Sequence, residues 1–308
     1  MAVDPPDQRP LFDAVVVGGG PAGLSAAAWL GRYRRSVALV DSQEYRNAGV
    51  DLSHGYLGND PIPPTELRAK ARAEVEQYPT VTFYDGAKVD RLTGIRDRFE
   101  LGIGDTVLRA RRVILATGVR DVFPDVGNFF EHYGADVFHC ASCDGYEAKD
   151  RDVVVFGWGE HISGFALGLL LWARSVTLVT DGHHFEGAPE DRQLLEDKGV
   201  AVLEDEAIEL CGQRGALNGV RLRGGTELPC QLAFFSIAHL PRNDLATDVG
   251  CVIGEAGCID VDRDGVTSVP GFYAAGDLTP GVQLISTAVA KGAAAAIHCA
   301  QSLVGDAP

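Results

Sequence analysis

The sequence predicts an α/β protein with two dinucleotide-binding units, and a repeated glycine-rich turn is the main reason. The first turn, Gly18–Gly23, follows the apolar stretch Ala14–Val17, and the second turn begins at Gly157 after Asp152–Phe156. Gly157 lies 139 positions after Gly18, and the strands that follow the two turns keep this spacing without a gap. A chain of 308 residues is long enough to form two domains, each with its own core.

The first unit carries a complete strand–turn–helix–strand pattern. The glycines of Gly18-x-Gly20-x-x-Gly23 permit a tight turn and a close approach to a pyrophosphate. The Ala-rich helix Leu24–Tyr33 follows, and a helix N-terminus stabilises phosphate charge. The next strand ends in Asp41, where an acid can accept hydrogen bonds from ribose hydroxyls. We therefore predict that this unit binds a dinucleotide cofactor.

The second unit lacks several of these features. Trp158 stands at the position of Gly19, where a pyrophosphate would pass, and Glu160 adds a negative charge close to the helix N-terminus. Ile162 replaces the third glycine, and Thr180 replaces the acid at the strand end, although Asp181 could serve a ribose one position later. The pattern indicates a retained fold that has lost ordinary nicotinamide binding.

A Cys-x-x-Cys motif, Cys140-Ala-Ser-Cys143, lies between the two turns and is followed by Asp144. Two thiols at this spacing can close a reducible ring, and the reactive species is the thiolate. Zinc is the alternative, but a structural zinc site needs four ligands and His139 would supply only a third. We predict a redox pair and no metal, with two inert buried thiols as the remaining alternative.

Composition restricts the function further. The formal net charge of −16 argues against a nucleic-acid partner, because no basic face is available to release counterions. The longest strongly apolar run, Ile162–Ala173, is too short to span a bilayer and is expected to form a buried helix. Residues 1–10 show no apolar signal core, and the seven cysteines form no paired framework. We therefore expect a cytoplasmic protein.

Further elements complete both units. Thr65 is a candidate N-cap for a helix over Glu66–Gln77, and a long Ala-rich helix is expected over Thr287–Leu303. The segments expected to form strands are Val81–Tyr84, Val89–Leu92, Phe99–Leu101, Val113–Leu115 and Gln231–His239.

Together these motifs resemble the low-molecular-weight thioredoxin reductases over nearly the whole chain. The matching stretches are Gly18–Gly23, Ala116–Gly118, Cys140–Gly145, Ile237–Pro241 and Ala274–Asp277. The resemblance implies two Rossmann-like, three-layer domains, with FAD in the first and a homodimeric assembly. It places the FAD domain at 1–119 and 241–308, and a central NAD(P)H-domain-like module with the Cys pair at 120–240.

The resemblance also implies roles for individual residues. Cys143 would face the flavin, Cys140 would exchange with the substrate, and Asp144 would be the acid/base. Asp277 would bind the ribityl or pyrophosphate region. The residues assigned to FAD are Gly18, Gly20, Pro21, Ala22, Gly23, Asp41, Ser42, Arg46, Asn47, Ala116, Thr117, Gly118, Gly276, Asp277 and Gln283.

The chain departs from the reductase pattern in ways that bear on its activity. The altered second turn and the absence of an arginine-rich segment after Thr180 argue against NADPH use. Val282-Gln283 stands where the reductases carry an Arg-Gln pair near the flavin. The segments Asp41–Ala48 and Gly145–Glu147 resemble the dithiol oxidases of the gliotoxin and holomycin type, which keep FAD and the Cys pair but need no nicotinamide. Those enzymes typically have His after the pair, so Asp144 is a reductase-like feature.

The favoured prediction is therefore an FAD-dependent dithiol oxidase that acts on a small dithiol or a thioredoxin-like protein. The alternative is a thioredoxin-reductase-type disulfide reductase fed by NADPH, ferredoxin or a second flavin. A non-enzymatic flavin redox sensor is the minor alternative, since it would leave a reactive Cys pair unexplained.

Overall fold

The structure is a computed structural model and describes residues 10–304. The predicted α/β fold class is confirmed. Short 3₁₀ helices occur at Gly145–Ala148 and Glu255–Gly257. The α-helices of the described chain are α1 (Pro21–Arg32), α2 (Pro64–Glu76), α3 (Phe129–His132), α4 (Ala141–Asp144), α5 (Ile162–Leu169), α6 (Pro189–Asp197), α7 (Asp244–Asp248) and α8 (Ile285–Gln301). The strands are β1 (Leu11–Val17), β2 (Val37–Asp41), β3 (Val81–Asp85), β4 (Arg91–Thr93), β5 (Phe99–Ile103), β6 (Thr106–Leu115), β7 (Val119–Val122), β8 (Val137–Phe138), β9 (Asp152–Phe156), β10 (Ser175–Val179), β11 (Ala201–Leu203), β12 (Ala207–Gln213), β13 (Ala216–Leu222), β14 (Glu227–Pro229), β15 (Leu232–Phe235), β16 (Ala238–Pro241) and β17 (Phe272–Ala274).

The described chain forms two compact units. The first takes its residues from Met1–Arg46, Thr65–Arg120 and Leu240–Pro308, and the second consists of Asn47–Pro64 and Asp121–His239. The segment 47–64, which the sequence analysis placed with the FAD domain, thus lies with the Cys-pair unit.

The sheet of the first unit brings three strand ends together. Its strand order is β3-β2-β1-β6-β5-β4, with β17 also paired to β6. Strand β1 runs parallel to both β2 and β6, and Val17 is in register with Val40 and with Leu115. The residues that follow these three positions therefore share one edge of the sheet, which is where ligands bind in open α/β folds.

Small side chains hold the helical layer of this unit close together. Helix α1 packs against α8, and a Cβ added at Gly292 would lie 2.1 Å from the carbonyl oxygen of Ala22. The first turn of α1 is thus fixed against α8 at a separation that only glycine allows. Strand β1 is buried from Ala14 to Val17, so the glycine turn rests on a rigid base.

The second unit repeats the parallel arrangement. Its five-stranded sheet has the order β11-β10-β9-β15-β8, and β12, β13 and β14 form a separate antiparallel sheet. Strand β9 lies between β10 and β15 in parallel, with Phe156 in register with Val179 and Phe235. This is the same local plan as β1 between β2 and β6, and it confirms the internal repeat that the two turns indicated.

Some element ends differ from the predictions. Helix α2 begins at Pro64, so Thr65 lies inside the helix and is not its N-cap. Proline is well suited to the first turn because it has no N–H to leave unpaired. Helix α5 ends at Leu169, so the last residues of the apolar run, from Leu170 to Ala173, lie outside the regular helix.

Candidate functional site

Cys140 and Cys143 form a disulfide. Cys140 is the N-cap of α4, and its Sγ accepts a hydrogen bond from the Cys143 N–H at 3.1 Å. Both cysteines are partly exposed, so a thiol substrate can reach the pair. A hydrogen bond to a sulfur favours its thiolate form, which is the nucleophile and the leaving group in exchange.

Asp144 follows the pair and is buried, with 7% of its surface exposed. Burial and, to a smaller extent, the charge of Glu147 raise its pKa to about 7, while His54 acts in the opposite direction. A carboxyl group with a pKa near neutrality can both give and take a proton at physiological pH, as a general acid/base requires.

Gly145 is required by packing. A Cβ at this position would lie 2.6 Å from the ring of Trp172. Glycine at this position therefore lets the chain pass close to the Trp172 ring directly after Asp144.

The glycine turn of the first unit has the shape that a pyrophosphate needs. Gly18 has φ +113°, and a Cβ there would lie 2.3 Å from the Ala116 carbonyl oxygen. A Cβ at Gly23 would lie 1.7 Å from the Gly18 carbonyl oxygen, so the turn closes tightly on itself. A Cβ at Gly20 would meet no atom of the described chain within 4 Å. The space beside Gly20, at the start of α1, is thus open to a ligand.

Asp277 and its neighbours meet the same turn. Gly276 has φ +92°, and a Cβ there would lie 3.0 Å from the Cβ of Ala22. Arg46 donates through Nη1 to Asp277 Oδ2 at 3.0 Å and to Gln283 Oε1 at 2.8 Å. The structure therefore brings Arg46 to two residues more than 230 positions later in the sequence, and all three were assigned to FAD.

Asp41 lies beside a cleft of about 290 Å³ in the first unit. Its carboxylate accepts from the Gln43 N–H at 2.9 Å and from the Tyr45 hydroxyl at 2.5 Å. The guanidinium of Arg68 lies 3.8 Å from the centroid of the Tyr45 ring. Burial and the contact with Asp41 raise the pKa of Tyr45 to about 12, so the hydroxyl stays protonated and donates.

Several residues that were predicted to bind FAD form hydrogen bonds with backbone groups. The Thr117 hydroxyl donates to the Arg242 carbonyl at 2.7 Å, and the Gly118 carbonyl accepts from the Arg242 N–H at 2.9 Å. Ser42 Oγ accepts from the Glu44 N–H at 3.4 Å. Asn47 belongs to the second unit, where its carbonyl accepts from the Val50 N–H.

The second turn differs from the first in its side chains. The rings of Trp158 and His183 stack with centroids 4.1 Å apart and planes at 19°. Because Trp158 corresponds to Gly19, the second turn carries a stacked indole where the first carries a glycine. Helix α5 begins at Ile162, whereas α1 begins at Pro21, which corresponds to Glu160 in the repeat. The regular helix of the second unit therefore starts two residues later in the repeat than that of the first.

The residues that follow strand β10 in the second unit also form hydrogen bonds within the chain. The Thr180 hydroxyl donates to the His183 carbonyl, and Asp181 Oδ1 accepts from the Ala207 N–H at 3.2 Å. Asp181 has φ +55°, and one of its carboxylate oxygens is thus engaged by the strand that contains Ala207.

Two groups of residues at the site were not predicted from the sequence: those around Asp41 and those around Asp144. Tyr45 and Arg68 line the cleft beside Asp41. Glu147 is one helical turn after Asp144, in the stretch already noted for its resemblance to oxidases. His54 comes from a distant loop, and no local pattern could have connected it to the Cys pair.

In residues 10–304, no cluster of three or more His, Cys, Asp and Glu side chains is arranged to hold a metal ion. None of the helices between these residues combines the length and the apolar composition that crossing a membrane would require.

Comparison with known proteins gives the family. A family model described as pyridine nucleotide-disulphide oxidoreductase matches residues 12–292. The chain is 30% identical over 313 residues to thioredoxin reductase aclD of Aspergillus oryzae, covering 96% of this chain and 98% of that protein. The solved thioredoxin reductase of Streptococcus pyogenes is 25% identical, with a TM-score of 0.90 over 96% of this chain and 98% of that one. The solved structure of HlmI is 36% identical, with a TM-score of 0.88 over 95% and 92%.

The geometry of the first unit fits the cofactor of this family. An open glycine turn at a helix start, an acid at the next strand end and a Gly-Asp pair against the same helix are the features that bind a flavin dinucleotide. The disulfide and the buried acid supply the sulfur chemistry. The chain therefore belongs to the pyridine nucleotide-disulphide oxidoreductase family, as a thioredoxin reductase-like, FAD-dependent oxidoreductase that acts on sulfur groups.

Proposed function

We propose that this protein is an FAD-dependent dithiol oxidase that needs no nicotinamide. Trp158 and His183 carry the proposal, because Trp158 replaces the glycine of a pyrophosphate-binding turn and its stacking on His183 disfavours a nicotinamide dinucleotide there. The Cys140–Cys143 disulfide is retained in the same unit. An enzyme with this combination takes electrons from a dithiol at the Cys pair and has no built route for NADPH.

The first half-reaction is thiol–disulfide exchange. A substrate thiolate attacks Cys140, the Cys140–Cys143 bond breaks, and Cys143 leaves as a thiolate. The second substrate thiol then attacks its own sulfur in the mixed disulfide and releases Cys140. The substrate has lost two electrons and two protons, and the enzyme pair is now a dithiol. Asp144 gives the leaving thiolate its proton and takes protons from the incoming thiols.

The second half-reaction restores the disulfide. Bound FAD would supply the two-electron chemistry that reoxidises the pair, with O₂ or another electron acceptor as the final oxidant. Asp144 takes the thiol protons that this oxidation releases. Its pKa of about 7 lets it alternate between the two forms without a large energetic cost at neutral pH.

We assign the FAD-holding role to the residues of the first unit. The Gly18–Gly23 turn and Ala22 at the start of α1 would hold the pyrophosphate, and Asp41 the adenosine ribose. Asp277, held by Arg46 and Gln283, would bind nearer the ribityl chain. The remaining assigned positions are Ser42, Ala116, Thr117, Gly118 and Gly276 of the first unit, together with Asn47, which belongs to the second.

A disulfide reductase of the thioredoxin type is the second candidate. The acid directly after the Cys pair and the thioredoxin reductase names of the relatives favour it. The altered second turn then requires another electron source, such as ferredoxin or a second flavin. In both cases we propose a small dithiol or a thioredoxin-like protein as the sulfur partner, a homodimer as the assembly and the cytoplasm as the location.

Anaerobic reduction of the FAD-loaded protein distinguishes the two candidates. NADPH, NADH, reduced ferredoxin and a small dithiol are each mixed with the enzyme at equal concentration, and flavin bleaching is followed by stopped flow. The oxidase predicts fast, saturable bleaching by dithiol and slow bleaching by both nicotinamides. Fast bleaching by NADPH at micromolar levels would refute the proposal, and fast bleaching by ferredoxin alone would favour the reductase.

A further inference from the structure

His54 lies near Glu147 and acts electrostatically on Asp144, the residue after the redox pair, although it comes from a loop outside the predicted central domain. Its Nδ1 is 3.1 Å from Asp60 Oδ1, and its Nε2 is 3.6 Å from Glu147 Oε1. The Gly55 N–H donates to the other oxygen of Asp60 at 3.0 Å. All these residues belong to the second unit. The imidazole thus connects two carboxylates, one of which is close to Asp144.

Glu147 has an oxygen that the described residues leave unsatisfied. Its Oε2 is buried and accepts no hydrogen bond from the described chain. A buried carboxylate oxygen without a donor is costly, and the cost is removed when a proton arrives. Glu147 lies one turn after Asp144, and its charge acts on Asp144. The unsatisfied oxygen is therefore a site at which an added proton would be stabilised.

Asp144 cannot exchange protons with solvent efficiently by itself. Its surface is 7% exposed, whereas the Asp60 side chain is 46% exposed. Each interconversion of the Cys140–Cys143 pair between disulfide and dithiol takes up or releases two protons. A buried acid that handles these protons needs a path to water.

We propose that His54 relays protons between Asp144 and solvent by way of Glu147, and that Asp60 fixes the imidazole tautomer. This inference rests on the proposed thiol chemistry but not on its direction. Asp60 accepts the Nδ1 proton, so Nε2 faces Glu147 as the exchanging nitrogen. The charged groups that act on His54 are Asp60 of its own loop, Glu147 of the 3₁₀ helix and Asp144 of α4. An imidazole is suited to the task because its ordinary pKa lies near neutrality.

The test compares His54→Gln and His54→Ala with His184→Gln in the FAD-loaded protein. His184 is a matched control because it also pairs with a carboxylate, Glu204 at 3.0 Å, but is 98% exposed. We expect dithiol turnover to fall about 10- to 100-fold in both His54 variants with little change in KM. Added imidazole should restore much of the rate to His54→Ala and none to the control. FAD content equal to wild type verifies folding.

A second measurement does not depend on turnover. The Cys pair is reduced chemically, and the rate of alkylation by iodoacetamide is measured from pH 5 to pH 9. Glu147→Gln and His54→Gln should displace this pH profile, and His184→Gln should not. An unchanged profile together with wild-type turnover in the His54 variants would overturn the relay. A wild-type enzyme that exchanges with no thiol or disulfide would instead refute the proposed function.

Discussion

Replacing Asp144 by Asn tests the acid/base assignment through stability. Burial raises the pKa of Asp144 to about 7, whereas an unfolded Asp titrates at about 3.9. Between these values the unfolded chain has lost its proton and the folded chain keeps it. Unfolding therefore releases a proton, and the contribution of Asp144 to stability falls as the pH rises from about 4 to about 7. Asn has no such dependence.

The magnitude follows from the size of the shift. The loss of stability that the raised pKa of Asp144 causes is equivalent to roughly one pKa unit at pH 5 and to roughly three at pH 8. About two units are therefore added between these pH values. Two units correspond to about 3 kcal/mol, at about 1.36 kcal/mol per unit. At about 2–4 °C per kcal/mol, the melting temperature of Asp144→Asn minus that of wild type should rise by about 6 °C or more between pH 5 and pH 8.

The assay is thermal unfolding of the oxidised, FAD-loaded protein at several pH values. Glu190→Gln is the control, because Glu190 is an exposed carboxylate of the same unit. Its melting-temperature difference from wild type should stay flat. A flat difference for Asp144→Asn as well would mean that Asp144 titrates like a surface acid, and the reasoning about its role would be wrong.

Three further predictions concern the cofactor and the Cys pair. Gly20→Ala should leave the fold as stable as wild type but release FAD, because the added Cβ meets no described atom and enters the open space. FAD release is measured by absorbance after gel filtration. Gly23→Ala should instead lower the melting temperature, because its Cβ would lie 1.7 Å from a carbonyl oxygen. Cys140→Ser should keep FAD and lose dithiol turnover, and full activity would contradict the exchange mechanism. Tyr45→Phe should weaken FAD binding several-fold in a titration of the apoprotein, since removal of a hydrogen bond to a charged group costs about 1.5 kcal/mol or more; an unchanged Kd would remove Tyr45 from the adenosine site.

The fold was predictable because its signals are local. The run Ala14–Val17, the glycine turn and the strand ending at Asp41 each follow from residues within one short stretch. Their repetition at Gly157 made the second sheet predictable in the same way. The ends of α2 and α5 were less so, because a proline at the first turn and the tertiary packing of a long apolar run decide them.

The site was predictable only where its residues stand in a motif. Cys140, Cys143 and Asp144 are adjacent in sequence, so their juxtaposition required no tertiary information. Arg46 and Asp277 had been assigned separately, but nothing local indicated that the one would bind the other. No local pattern predicted a role for His54, because its proximity to Glu147 arises only when its loop packs within the second unit.

A comparison of the two repeated units separates the residues that the core requires from those that ligand binding requires. Val153–Phe156 is as buried as Ala14–Val17, because the core needs these strands whether or not a nucleotide binds. The turn that follows contributes little to the core and is retained only where a phosphate uses it. In the first unit it is open and starts a helix at once. In the second, Trp158 stacks on His183 and the helix starts two residues later. The sheet beneath this turn is retained, so the second unit still supports the Cys pair. Under the proposed function, electrons for the pair come from its sulfur substrate, and the change that removes the nicotinamide reaction lies in the side chains of the turn and not in the fold.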